Sequence, residues 1–356
     1  MEAIELLKEY KIEVDPVLKK YFRKKLKQAE EIDPLAKQAV QSIADFTLAA
    51  GKRIRPAMVY YGYLAAGGKK RKEIIEASMG IELIHSFLLI HDDFMDRDDK
   101  RHGIDTIHEK YKKIGKIMAP EKDNAHFGNS MAVTVGDMAS TMGYEIIFNA
   151  DFSAERIIKA LDKLQNIVNV TIPGQLLDVV MENRGYATEK EILRMFEGKT
   201  SRYTFEGPLH LGAILAGADE KILRIFTKYS LPLGKAFQIR DDILGIFGNE
   251  KILGKPVGSD ITEGKQTLLF LKALEKSDKK QKNILYECLG RKDLKKEKLD
   301  EFRKVIKDTG ALEYCQNLAE KFANESLQAL KKINFKNQKA KIFLSEIVKF
   351  IVSRTV

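Results

Sequence analysis

The sequence predicts an all-α protein, with residues 1–356 forming one large helical domain. Three observations carry that expectation. Apolar residues recur at three and four spacings along almost the whole chain, strand-like alternation is scarce, and only eight prolines interrupt 356 residues. A hydrophobic content of 44% supplies one sizeable core, and no linker, low-complexity segment or repeat divides the chain.

The elements follow in order. The opening "MEAIELLKEYKIEVDP" mixes acidic and apolar residues as a helix does, and lacks the basic and continuous apolar stretches of a secretory signal. Asp33 and Pro34 give a cap and first-turn proline for a helix running to about Ala50, closed by Gly51. A loop with Lys52, Arg53 and Arg55 leads to a helix over about 57–66, "GGKK" turns the chain, and a long helix covers about 71–96. Further helices are expected at about 128–149, 153–182, 188–205, 219–247, 262–276, 294–308, 312–333 and 337–353.

Composition narrows the function. Two cysteines, Cys288 and Cys315, support neither a disulfide framework nor a four-ligand zinc site, which points to a reducing, cytoplasmic setting. No run approaches the roughly 18 uncharged apolar residues of a membrane span. The net charge of +10 raises the question of nucleic acid. Between Leu271 and Asp300, however, ten basic residues are interleaved with six acidic ones, as on solvated helix faces, so no nucleic-acid partner is expected. The shorter basic stretches "GKRIRP" at 51–56 and "GKPVGSDITEGKQT" at 254–267 suit small phosphates.

The chemistry concentrates in "LLIHDDFMDRDDKRHG", residues 88–103, where Asp92, Asp93, Asp96, Asp98 and Asp99 crowd the C-terminal end of the long helix. A helix C-terminus already carries partial negative charge, so stacked carboxylates there call for a cation. Asp92 and Asp96 stack on one face, with His85 two turns behind on nearly the same stripe. That donor set suits Mg²⁺, which takes hard oxygen ligands and keeps positions for water and phosphate. A calcium loop starting at Asp96 fails, because Arg101 stands where the turn needs glycine. A second pair, Asp241 and Asp242, lies in "AFQIRDDILG" with Gln238 one turn earlier, flanked by apolar residues as on a buried helix. If the two acidic helices face each other, metal ions between them would offset the repulsion and create a pyrophosphate site. "GKT" at 198–200 is no nucleotide loop: Leu193 stands where that motif needs glycine, and no strand precedes it.

Taken in order, "GKRIRP", "HDDFMDRDDKRHG", "GQLLD" at 174–178, Lys199 with Thr200, "FQIRDD" and "GKPVGSDITEGK" resemble the trans-isoprenyl diphosphate synthases, or polyprenyl synthetases. The resemblance covers about Ala50 to Lys265 and implies the isoprenoid synthase fold, a single large helical bundle around a central active-site cavity, with a homodimer and several Mg²⁺ per active site. It assigns Asp92, Asp96 and Asp241 to Mg²⁺ on the diphosphate of an allylic substrate (dimethylallyl, geranyl or farnesyl), with Asp93 and Asp242 supporting. Arg101, Lys199, Lys255 and Lys265 would neutralise that diphosphate. Lys52, Arg55, His85 and His102 would hold isopentenyl diphosphate, and Thr200 and Gln238 would lie beside the carbocation. The implied reaction is head-to-tail condensation by ionisation, attack and proton loss. No protein nucleophile is required, which suits a chain with six histidines and no Ser/His/Asp constellation.

The chain departs from the family pattern at three places. His102 stands where a second arginine is usual, which makes the hold on isopentenyl diphosphate pH-dependent. Gly245 replaces the third carboxylate of the second motif, and Asp105 replaces a common proline. In this family, residues just before the first aspartate set product length, here Ile84, Phe87 and Leu88. A single aromatic at 87 with an unexpanded motif resembles the archaeal geranylgeranyl diphosphate synthases; farnesyl or longer-chain synthesis is the alternative. On a helical wheel Leu88 lies about 40° from Asp92 and Phe87 about 140°. A catalytically silent partner subunit is the reading from another class, and it would lose the acids and lysines kept here.

Overall fold

The structure, a computed structural model, describes residues 2–49, 51–248 and 257–353. It is all-helical apart from one two-stranded hairpin among the described residues. The chain runs through α1 (Glu2–Ile32), α2 (Pro34–Ala49), α3 (Ile54–Ala65) and α4 (Arg71–Asp96), then the hairpin β1 (Lys100–Arg101) and β2 (Ile104–Asp105). There follow α5 (Ile107–Met118), α6 (Asn124–Phe148), α7 (Ala154–Arg184), α8 (Glu189–Met195), a π-helical segment (Phe196–Glu206), α9 (Gly207–Ala216) and α10 (Glu220–Phe247). The remainder is α11 (Ser259–Thr262), α12 (Leu268–Lys276), α13 (Lys279–Cys288), α14 (Lys296–Asp308), α15 (Ala311–Leu330) and α16 (Gln338–Ser353). These divide into two compact units: unit A, Ile4–Leu164 with Leu211–Ala218, and unit B, Met1–Ala3, Gln165–His210 and Asp219–Val356.

In unit A, α4 is the core helix. It is buried nearly all round, through Ile74, Ala77, Gly80, Ile81, Leu83, Ile84 and Ile90, as a helix wrapped by neighbours must be. Among the described residues it alone has the length and apolarity of a membrane span, and 67% of that stretch is buried, so core burial accounts for its composition. Helix α6 packs on it at close range. A Cβ on Gly80 would stand 2.9 Å from the carbonyl of Gly143, and one on Gly143 would stand 2.9 Å from the carbonyl of Gly80. The C-terminus of α4 closes with Arg97 in the left-handed region at φ 62°, while the Asp93 carbonyl accepts from the N–H groups of Arg97 and Asp98. The hairpin then turns through His102 and Gly103, both at positive φ, the geometry of a two-residue type I′ turn.

In unit B, α10, α12, α14 and α15 share a core that includes Ile239, Ile243, Phe270, Phe302 and Cys315. Two glycine contacts set the approach of the functional segments. A Cβ on Gly174 of α7 would stand 2.5 Å from the backbone nitrogen of Lys199, and one on Gly234 of α10 would stand 2.2 Å from Ser201 Cα. Only glycine lets these backbones come so close.

The long helix at 71–96 has the expected limits. The expected helix at 188–205 is instead α8 followed by the π-helical segment. The expected helix at 262–276 begins only at Leu268, because Gly264 takes φ 83° and Thr267 caps the start by accepting from the Phe270 N–H at 3.2 Å. The hairpin, α5, α9, α11 and α13 lie outside the expected helices, although "DKKQ" at 278–281 is a capping box, with Asp278 and Gln281 bonded reciprocally.

Candidate active site

One set of candidate site residues belongs to unit A and rests on the end of α4, the loop before α3 and the first turn of α3. Asp92 and Asp96 are half-buried on one helix face, whereas Asp93, the adjacent residue, is fully buried. Its Oδ1 accepts from Arg101 Nε at 2.5 Å. Burial raises the Asp93 carboxyl to about 7 against the opposing pull of Arg101. Arg101 also reaches Asp98 at 3.4 Å, so Asp98 and Asp93 together aim the guanidinium. Asp93 therefore acts through Arg101, on the inner side of the helix, while Asp92 and Asp96 keep the outer stripe.

Across from this, Arg55 Nη1 contacts His85 Nε2 at 3.0 Å. Burial, then Arg55, Arg101, His102 and Arg53, hold His85 well below the ordinary imidazole range, so its ring is neutral and can accept from Arg55. His102, exposed at the hairpin turn, is lowered by partial burial and then by Arg101 and Arg53. Lys52 is exposed on the loop before α3, and Arg55, expected on that loop, lies in the first turn of the helix. Asp105, at the proline position, pairs with Lys113 at 2.5 Å on the surface.

Below the aspartates, α4 presents two stripes. Ile84, Phe87 and His91 follow the α6-facing side: Ile84 lies against Gly143, and His91 against Gly136. The Phe87 and His91 rings meet edge-on with centroids 4.9 Å apart. His85, Leu88 and Asp92 follow the other stripe. Phe87 and Leu88 are half-buried, whereas Ile84 has 0% of its surface exposed and packs against Gly143.

A second set belongs to unit B. Lys199 Nζ donates to Asp178 Oδ2 at 2.8 Å, and Lys265 lies 3.5 Å from the same oxygen and 3.2 Å from Glu182. The buried Asp178 thus offsets the repulsion between two lysines expected to meet one diphosphate. The π-helical segment and α10 join through a polar chain: Thr200 Oγ1 donates to Gln238 Oε1 at 2.6 Å, and Gln238 Nε2 donates to Asp242 Oδ1 at 2.9 Å. Asp242 is buried and supports Gln238, while Asp241 stays half-buried. At Gly245 an added Cβ would stand 2.7 Å from Asp260 Oδ2, so a carboxylate from another segment already fills the space beside the second motif. Lys255 lies outside the described residues.

Sequence reasoning gave Asp178 no role. The signal was present in "GQLLD", where a lone acid on a helix precedes two expected phosphate-binding lysines. A polyprenyl synthetase family model matches residues 37–306, three quarters of the chain and residues of both units. The chain belongs to the polyprenyl synthetase family. It is a trans-prenyltransferase by that membership. This polyprenyl synthetase is 34% identical to a geranylgeranyl diphosphate synthase of Saccharolobus solfataricus, over 86% of this chain and 87% of that one. It is 30% identical to a geranylfarnesyl diphosphate synthase of Aeropyrum pernix, over 86% and 91%. A solved Corynebacterium glutamicum geranylgeranyl pyrophosphate synthase, complexed with isoprenyl diphosphate and magnesium, superposes with a TM-score of 0.92 at 29% identity, covering 98% of this chain and 99% of that one.

Proposed function

We propose that this polyprenyl synthetase condenses isopentenyl diphosphate with an allylic diphosphate and releases geranylgeranyl diphosphate. One observation carries the assignment of roles. In each aspartate pair the second residue is buried and bonded to a neighbouring polar group, which leaves Asp92, Asp96 and Asp241 as the accessible carboxylates. Among the described residues no three carboxylate, imidazole or thiol groups converge closely enough to hold a metal alone. That fits Mg²⁺, which keeps water and substrate phosphate in its remaining positions.

Asp92, Asp96 and Asp241 would hold the ions, and bound Mg²⁺ would neutralise charge as pyrophosphate departs. The protein's own part is electrostatic. Arg101, Lys199, Lys265 and Lys255 take the allylic diphosphate, and fixed cations favour the ionised state over the ground state. Lys52, Arg55, His85 and His102 take isopentenyl diphosphate. The Thr200–Gln238 pair presents neutral oxygen atoms beside the developing carbocation, where a cationic side chain would raise its energy. The proton lost at the end goes to the departing pyrophosphate.

The two units work as one domain, and the protein as a homodimer in the cytoplasm. Support for the dimer is the face of α7 at Ile172, Leu176, Val179 and Val180, exposed at i, i+4, i+7 and i+8. Support for a reducing compartment is the pair of buried, unbridged cysteines, Cys288 and Cys315.

Product analysis with isopentenyl diphosphate and each allylic primer, with and without Mg²⁺, tests the reading. Condensation ending at the twenty-carbon product is expected only with the metal; no condensation with any primer overturns it. Phe87→Ala is expected to lengthen the product, read as extracted prenyl alcohols. An unchanged length would reduce Phe87 to packing and leave Leu88 as the tunnel residue.

A further inference from the structure

Between Lys52 and Arg55 stands a third cation that the assignments above leave unused. Arg53 is 3% exposed and holds a left-handed conformation, φ 55° and ψ 36°, that a non-glycine residue adopts only when its surroundings compel it. The surroundings are explicit. Its Nε donates to Asp15 Oδ1 of α1 at 2.9 Å, and its Nη1 donates to Glu82 Oε1 of α4 at 2.5 Å and to the Thr47 carbonyl at the end of α2 at 2.9 Å. One side chain therefore ties three helices to the turn that launches α3.

Glu82 is itself 6% exposed, so the pair is a buried one with its charge compensated inside unit A. Helix α1 is in turn fixed by Tyr10 Oη to Ser78 Oγ at 2.6 Å and by the Tyr61 hydroxyl donating to the Leu6 carbonyl at 3.1 Å. Arg53 also backs the diphosphate loop electrostatically, since its charge reaches both His85 and His102.

We propose that Arg53 is a positioning residue for isopentenyl diphosphate: clamped by Asp15 and Glu82, it holds the loop in the one backbone conformation that presents Lys52 and Arg55 together. This rests on the assignment of Lys52 and Arg55 to that substrate. It makes α1 a working part of the site through Asp15, a residue that itself touches no substrate.

The test is steady-state kinetics of the full chain, varying each substrate separately, for Arg53→Gln, Arg53→Lys and Asp15→Asn. Asp15→Asn leaves the buried Arg53–Glu82 pair intact, so it remains informative where Arg53→Gln fails to fold. Losing one charge-assisted hydrogen bond to the clamp is expected to raise KM for isopentenyl diphosphate about tenfold in Asp15→Asn. KM for the allylic substrate and kcat should stay within about twofold, and Arg53→Lys should recover part of the loss that Arg53→Gln shows. Unchanged kinetics in folded variants, or an equal rise in both KM values, would overturn the clamp alone. A wild-type chain that does not saturate with isopentenyl diphosphate would overturn the substrate assignment and the clamp with it.

Discussion

The pairs Asp92–Asp93 and Asp241–Asp242 look alike in sequence and are used alike up to a point. In each, the first aspartate stays half-buried and the second turns inward. They differ in what the inward residue supports. Asp93 holds Arg101, a permanent cation, at the price of a carboxyl raised to about 7 by burial. Asp242 holds Gln238, a neutral amide that in turn receives the Thr200 hydroxyl. Unit A thus uses its buried acid to hold a cation, and unit B to orient dipoles. Helix geometry explains the common part: adjacent residues lie about 100° apart, so two neighbouring aspartates cannot both face one ligand.

The comparison can be broken most sharply at the accessible aspartates. Asp92→Ala is expected to lower kcat about a thousandfold with little change in Tm, since it removes charge stabilisation needed as pyrophosphate leaves; turnover and thermal melting check it. Asp93→Asn keeps an acceptor for Arg101 but removes the carboxylate's charge, so the fold should survive. Held by a weaker, neutral hydrogen bond, Arg101 should lose aim, and KM for the allylic diphosphate should rise about tenfold. Asp242→Asn should cost kcat less than about fivefold, because an amide can flip and still accept from Gln238. A loss there as large as that of Asp92→Ala would make Asp242 a metal ligand and end the parallel.

The smallest expected effect concerns His102. Burial and the neighbouring arginines lower its pKa, so the ring is neutral near pH 7 and gains positive charge only as pH falls. Binding of a polyanion favours the protonated ring, so KM for isopentenyl diphosphate should fall between about pH 7.5 and pH 5.5. His102→Arg should lower KM about threefold at pH 7.5 and remove that part of the pH dependence, since arginine stays charged throughout. An identical profile in both proteins would assign the dependence to another group.

Much of this was legible in the sequence because periodicity reports faces. The limits of α4, the shared stripe of His85, Asp92 and Asp96, and the buried setting of Asp241 and Asp242 all follow from spacing. What spacing cannot report is the neighbour on each face. Nothing in "HDDFMD" says that Asp93 meets Arg101 eight residues later, since the chain reversal between them depends on Arg97 adopting positive φ at the end of the helix. Arg53 was read as one more loop cation, because its partners Asp15 and Glu82 lie 38 and 29 residues away. Asp178 is hidden for the same reason, its partner Lys199 lying 21 residues away.

The π-helical segment Phe196–Glu206 carries a constraint of a different kind. Its i→i+5 bonding amounts to one residue more than an α-helix would use over the same span, and it places Lys199 against Asp178 and Thr200 against Gln238. Substitutions within it alter single contacts. Removing one residue would restore α-helical spacing and swing one part of the segment about 100° relative to the other. Here the count of residues matters as well as their identity: away from Gly198, Lys199 and Thr200 this stretch should admit point changes over evolutionary time while refusing insertions and deletions.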